Sequence, residues 1–349
     1  MTDKVDDKTL NLYPIDYPFE TLVARINAKP VAKLKLNPDF QRKYKWDKAG
    51  WGRASKFIES CLMRIPLPSC YFAEDEDGMH MVIDGVQRLT TINRFLNDEF
   101  ALEGMTAFKA IEGKKFSELG ALRAELEATT IRCIILRKEN PKKLIREIFS
   151  RLNQGAVELS DQEIRHAIYP GSLDELLAKL GKIPLVERFG MAEQSEGRDA
   201  LEPEEQVLRY FAFSADKELA SFNTNLKEFL DDYMDKNSGL PEEEIADFDA
   251  RFQRALQNCV LVFGDDVFTN LAVERKRKGL VHYDLLMPTV GELDPQVAAD
   301  SAGKIREAYR TLCDSEDFKR TLSGGLQNKS AIVRRRDSWA ILLKAALHG

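Results

Sequence analysis

The sequence predicts an α+β N-terminal domain over residues 1–160, followed by an all-helical domain over 161–349. Three observations carry that expectation. Runs with strand character lie before Gly155 and nearly vanish after it. Apolar stripes of helical period then recur at 203–213, 222–235, 241–263, 295–313 and 329–347. Glycines and prolines such as Gly181, Pro241, Gly264 and Pro295 fall between stripes, where chain breaks belong.

Taken in order, Phe19, Leu22, Val23 and Ile26 have helical spacing, and Leu34 and Leu36 alternate with lysines as in a half-buried strand. From Asp47, the series Trp51, Ala54, Phe57, Ile58, Cys61, Leu62 and Ile65 makes a helix stripe of about five turns. Pro66 and Pro68 are expected to stop it. Ser69 to Ala73 reads as a strand, and the acidic turn 74–78 joins it to Met81, Val82 and Ile83 in a hairpin. Thr130 to Leu136 is a third clear strand, rich in β-branched residues. Pro141 opens a helix carrying Leu144, Ile145, Ile148, Phe149 and Leu152, expected to end at Asn153-Gln154-Gly155 with a left-handed cap. Ser160-x-x-Glu163 and Ser172-x-x-Glu175 both have capping-box form.

Composition excludes several classes. With 44% hydrophobic and 31% charged residues the chain reads as globular rather than disordered. A net charge of −6 gives no whole-chain attraction to nucleic acid or to an anionic membrane. No apolar run approaches the roughly 20 residues of a membrane span. The opening segment, MTDKVDDKTLNLYPID, is polar and lacks signal-peptide form. The five cysteines are scattered, mostly inside apolar patterns, as reduced and buried thiols are. The expected location is the cytoplasm. No C-x-x-C exists and the four histidines lie far apart, which argues against zinc.

The most informative stretch is VIDGVQRLTTINRFL at 82–96. An apolar strand breaks at Asp84-Gly85 into a helix, leaving the first backbone N–H groups of that helix without partners. Those groups and the helix dipole make an anion site. Arg88, one turn in, offers a guanidinium fork suited to phosphate oxygens. Asp84 is awkward beside a phosphate. It either holds Mg²⁺, positions a water, or simply caps the helix. Gln87 and Arg88 also have a plain reading as exposed helix residues.

Two further polar clusters interrupt apolar patterns. Gln41 and Arg42 stand in a series with Phe40, Tyr44 and Trp46, where aromatics interleaved with cations suit base stacking as well as an ordinary packed loop. Ser150-Arg151-Leu152-Asn153-Gln154-Gly155 closes the 141–153 helix, and Arg and Asn are also ordinary there for capping reasons.

Together, F-Q-R with Tyr44 and Trp46, I-P-L-P at 65–68, IDGVQRLTT and IFSRLNQGAVELSDQEIRHAIY resemble one family in order and spacing. They are similar to the N-terminal domain of GmrSD-type modification-dependent restriction endonucleases, which is marked by a DGQQR motif and related to the ParB/sulfiredoxin fold. The resemblance runs over roughly 30–170 and continues more loosely to the terminal helix. One departure stands out: Val86 replaces the first glutamine of the motif.

The resemblance implies nucleotide binding and, as in relatives, NTP hydrolysis that regulates cleavage of modified phage DNA. By position, Asp84, Gln87 and Arg88 would act in catalysis, with Asp84 on Mg²⁺. Gly85, Gln41, Arg42, Arg151 and Asn153 would surround the nucleotide. Relatives carry an HNH-type nuclease domain, fused or as a partner chain. The C-terminal half offers only His166, His282 and His348 for such a centre, so a separate effector chain is the implied partner.

Two basic runs, Arg275-Lys276-Arg277-Lys278 and Arg334-Arg335-Arg336, read as solvated faces or as tracks for DNA phosphates. Three functions follow in order. The first is an NTP-binding, NTP-hydrolysing module of an anti-phage system. The second is a non-catalytic DNA- or partner-binding subunit that keeps the pocket, which the Val86 departure favours. The third, a ParB-like nuclease, has no metal-ligand cluster behind it.

Overall fold

The computed structural model describes residues 10–36, 44–47, 50–75, 77–152, 160–189, 201–215, 225–322 and 328–348. It is mixed α+β and divides into two compact units, Met1–Leu159 and Ser160–Gly349. Gln41, Arg42 and Asn153, and the expected cap at 153–155, lie outside the described residues.

The first unit is built on one five-stranded sheet. Its strands are β1 (Leu12–Pro18), β2 (Leu34–Lys35), β3 (Cys70–Glu74), β4 (His80–Asp84) and β5 (Thr130–Leu136), in the order β1-β5-β3-β4-β2. The expected hairpin is present: β3 and β4 pair antiparallel, with Phe72 opposite Val82. Strand β3 also runs parallel to β5, which sets Cys70 beside Cys133.

Strand β1 was not read from the sequence. Its residues, LYPIDYP, contain two prolines, which remove ladder donors and are tolerated at a sheet edge. It pairs antiparallel with β5, and a bidentate contact from Arg132 to Asp16 (3.0 and 2.9 Å) fixes the register across it.

Among the described residues, five α-helices accompany the sheet: α1 (Phe19–Ile26), α2 (Gly52–Leu62), α3 (Val86–Leu96), α4 (Leu122–Ala128) and α5 (Lys142–Leu152). Phe19 and Leu22 of α1, Ile58 and Cys61 of α2, and Leu89, Ile92 and Phe95 of α3 share one core with Phe72, Val82, Cys133 and Ile135. Helix α5 packs against β4, whose Ile83 is as buried as Val82. Helix α2 is shorter than the stripe from Asp47 suggests. It starts at Gly52 and ends before the prolines, because Arg64 turns left-handed (φ 57°) and the Ile65 amide bonds back to the Ser60 carbonyl.

One buried carboxylate organises the 103–111 segment. Glu59, on α2, accepts the backbone N–H groups of Thr106, Ala107 and Phe108 and the Thr106 hydroxyl, at 2.6–3.1 Å. Burial alone would raise its pKa, but these four donors hold it below the ordinary glutamate value.

Apart from one isolated bridge between Thr269 and Lys278, the described residues of the second unit are helical or irregular. Its helices are α6 (Asp161–Ile168), α7 (Ser172–Leu180), α8 (Pro184–Glu187), α9 (Glu202–Ser214) and α10 (Leu226–Asn237). They continue with α11 (Glu242–Phe263), α12 (Leu280–Leu286), α13 (Pro295–Asp300), α14 (Ala302–Asp314), α15 (Glu316–Thr321) and α16 (Lys329–His348). The Ser160 capping box forms as its sequence suggests. The Ser172 box does not: Gly171 takes the N-cap position, and the Ser172 hydroxyl donates instead to the Leu240 carbonyl at 2.6 Å. The stripe at 295–313 breaks at Ser301 (φ −100°, ψ 5°) into two helices.

The core of this unit mixes rings with charge. Tyr309 meets Trp339 edge-on at 5.2 Å and Phe263 at 5.3 Å. Arg165, 1% exposed, donates to Asp231 (2.8 Å), Gln162 (3.0 Å) and Glu205 (2.8 Å), tying α6 to α9 and α10. Arg209 clasps Asp284 with two donors, joining α9 to α12. Among the described residues no helix is long and apolar enough to cross a membrane.

Two outcomes follow. Asp231→Ala, which takes the more buried of two carboxylates from the Arg165 guanidinium, should cost about 3 kcal/mol in urea unfolding. The double substitution Arg165→Met, Asp231→Leu should cost less than that single change. His282, whose Nδ1 lies 2.6 Å from the Tyr309 hydroxyl, is pushed down to about 4 by burial and by Arg335. Its unfolded form binds a proton below about pH 6.5 that its folded form refuses until about 4, so stability falls as pH drops through that window. His282→Gln should make that slope shallower by up to about 1.4 kcal/mol per pH unit in denaturant titrations.

Candidate functional site

The strand-to-helix junction at Asp84-Gly85 is where the sequence places its chemistry, and the turn is set by a left-handed glycine. Gly85 is the N-cap of α3 with φ 103°. A Cβ there would lie 2.4 Å from the Cys70 sulfur and 3.1 Å from the Cys70 Cβ, so glycine is required both by conformation and by space. Asp84 is therefore not the cap; its carboxylate does something else.

That carboxylate meets Arg88. The Nη2 of Arg88 lies 2.5 Å from Oδ2 of Asp84, one helical turn away. The Nη1 of the same guanidinium donates to the carbonyls of Pro68 and Ser69, the latter at 3.2 Å. Arg88 is 14% exposed at its side chain, Asp84 34%. The arginine thus turns back into the protein and fastens the I-P-L-P segment to the end of β4. In this arrangement its fork is occupied by protein oxygens, where the sequence reading had it facing a phosphate.

Gln87 points the other way. Its Oε1 accepts the Lys45 backbone N–H at 3.0 Å, and its carbonyl accepts the Thr91 hydroxyl at 2.7 Å. Tyr44 bonds to the same Thr91 hydroxyl at 2.8 Å, and its ring lies under Arg94 (4.7 Å). The end of the F-Q-R series is therefore brought against α3. Its described aromatics, Tyr44 and Trp46, do not form a stacking surface. Tyr44 is 4% exposed, and Trp46 packs on Phe57 at 5.6 Å under Arg53. Burial raises the Tyr44 phenol above its ordinary range.

Beneath the junction sit two thiols. Cys70 and Cys133 are buried, reduced and side by side. Contact with the Cys70 thiol, reinforced by burial, holds Cys133 well above the usual thiol range. Val86, the departure from the motif, packs against the main core, so an apolar side chain there has a structural use.

The remaining sequence-derived positions disperse. Arg151 pairs with Glu147 at 2.5 Å on the outer face of α5 with 74% of its side chain exposed. Among the described residues no group of three or more His, Cys, Asp or Glu side chains is arranged to hold a metal. Asp84 keeps one carboxylate oxygen outside its bond to Arg88, which fits a Mg²⁺ that takes its other ligands from substrate phosphates and water.

Neither basic run presents all of its cations to solvent. Lys276 pairs with Asp266 at 2.5 Å. Lys278 donates to the Asp265 and Val267 carbonyls, leaving Arg275 and Arg277 exposed beside them. On α16, successive residues are about 100° apart. Arg334 is exposed, while Arg335 is 6% exposed and donates to the Thr321 carbonyl, and Arg336 donates to that of Phe213. For Arg335 this corrects the expectation of a DNA-facing side chain. Sequence reasoning missed Pro68, Ser69 and Cys70 as parts of the junction. The I-P-L-P spacing before the hairpin was the available signal.

Residues 19–170 match the family model described as GmrSD restriction endonuclease, N-terminal domain. The resemblance carried by the motifs is borne out over that stretch. Neither a curated protein nor a solved structure matches the chain.

Gly85→Ala should destabilise the first unit by about 2–4 kcal/mol, from the left-handed φ and the clash with sulfur together. In urea titrations, Cys70→Ala combined with Gly85→Ala should cost less than the sum of the two single changes. Strict additivity would mean the close approach is unimportant.

Proposed function

We propose that the chain is a component of a restriction or defence system and that its first unit binds a nucleoside triphosphate at the Asp84–Arg88 junction. The observation that carries this reading is the left-handed Gly85 opening α3 directly from β4. The first amides of that helix have no partner within it and no side-chain cap, which leaves them available to phosphate oxygens. The match of residues 19–170 to a restriction-endonuclease domain supports it. The ParB/sulfiredoxin-like character of this unit belongs to the same proposal.

In the proposed mechanism the amides of residues 85–88 hold phosphate oxygens. Arg88 acts as a positioning residue, fixing Asp84 and the 66–69 segment by donating to the Asp84 carboxylate and to the Pro68 and Ser69 carbonyls. Asp84 orients the attacking water or holds Mg²⁺ through its remaining oxygen; bound there, the ion would offset charge on the phosphates. Water adds to the γ-phosphorus and the bond to the β-phosphate oxygen breaks, giving the diphosphate and inorganic phosphate. The protein's share is placement and charge stabilisation. Arg42 is proposed to supply the second cation, and Gln41 and Asn153 to contribute to the nucleotide site, as the family resemblance implies. Arg151 joins them only on leaving Glu147. A separate nuclease chain would act on DNA.

A second reading is favoured by two observations: Arg88 is already engaged by protein oxygens, and Val86 packs inward. It keeps the pocket as a binding site without turnover, in a DNA- or partner-binding subunit.

Phosphate release over the four NTPs with Mg²⁺ separates the two. Turnover reduced at least about 100-fold in Asp84→Ala and in Arg88→Ala is the expected result. Binding of a non-hydrolysable NTP without turnover in the wild type would select the second reading. Turnover surviving both substitutions would sink the site assignment.

A further inference from the structure

The arginine run of α16 reads at first as a surface feature, yet Arg335 and Arg336 face a small cavity in the second unit. It measures about 10 Å³. Arg335 and Arg336 line it together with Asp284 of α12, and Phe213, Val281 and Ile332 contribute apolar walls. The space holds one oxygen atom or a water but not a sugar or a base.

The two cations are set rigidly. Arg335 donates to the Thr321 carbonyl at 3.1 Å, from within the core, and Arg336 donates to the Phe213 carbonyl at 2.9 Å. Asp284, the carboxylate in the lining, is already clasped by Arg209 through two donors, one at 3.0 Å. Burial lowers the Arg335 pKa, an effect that Asp284 opposes and Arg209 reinforces. An added anion would therefore favour the charged form. Apolar walls strengthen such an attraction by excluding water.

We propose that this cavity binds the phosphate group of a small phosphorylated molecule, at a site separate from the Asp84–Arg88 junction. One oxyanion oxygen enters between the guanidinium forks, whose planar geometry matches it. The rest of the ligand stays outside. Duplex DNA fits less well, since tracking a backbone takes several exposed cations and Arg334 alone of this run is exposed.

The test is the thermal midpoint of the full chain at constant ionic strength in chloride, inorganic phosphate or a nucleoside 5′-monophosphate. Phosphate should raise the midpoint by about 2–4 °C over chloride. Arg336→Gln, and independently Val281→Phe, which fills the cavity without removing charge, should each make the rise smaller than in the unsubstituted chain, whatever the Asp84–Arg88 junction contributes. A larger rise with the monophosphate supports a nucleotide ligand; an equal rise supports the free anion. Equal midpoints in phosphate and chloride overturn the proposal, as does a rise that is as large in either cavity variant as in the unsubstituted chain.

Discussion

The Arg88 guanidinium is the tie on which the first unit's junction depends. It joins three pieces of chain that the sheet alone leaves independent: the end of β4 at Asp84, the first turn of α3, and the Pro68–Ser69 segment entering β3. Each bond is charge-assisted, and the side chain is largely withdrawn from water, so these contacts are stronger than their surface equivalents. With that tie in place, Gly85 can pass within contact of Cys70, and Cys70 can lie flat against Cys133. The junction is a stack of three layers: guanidinium, backbone and thiols.

What the sequence disclosed follows from how local each signal is. Thr130–Leu136 was legible because β-branched residues fill it, and the hairpin before Asp84 because its turn is unmistakable. The Ser160 cap was legible for the same reason. Strand β1 was not, since prolines erase the local signature and only its edge position makes them tolerable. The Ser172 box failed because a glycine one residue earlier took the cap and a carbonyl 68 residues away took the hydroxyl. For the site, position was readable and orientation was not. Asp84, Gly85 and Arg88 meet at the strand-to-helix junction, while the Gln87 side chain turns to the Lys45 amide. That Arg88 turns back toward carbonyls 19 and 20 residues earlier in the chain depends on strand order, which no window of sequence contains.

The second unit shows the same contrast on a larger scale. Its helical stripes announced amphipathic helices, but the helices bury Arg165, Asp231, Gln162 and Arg209 alongside their aromatics. Buried ion pairs add little net stability and much orientation. They fix which helix faces which, where apolar ridges alone would tolerate sliding. The inward arginines of α16 extend that pattern. A run of like charges in sequence becomes one exposed, one buried and one half-buried cation once the helical period is applied.

The pairing of Asp84 with Arg88 has a kinetic consequence. Two opposite charges 2.5 Å apart form a short dipole whose field fades much faster with distance than that of a lone cation. A polyanion diffusing toward this junction is not drawn in from afar by either group. Its capture falls to short-range hydrogen bonding, so its association rate at this point would vary little with ionic strength, unlike encounters guided by an open cationic cleft.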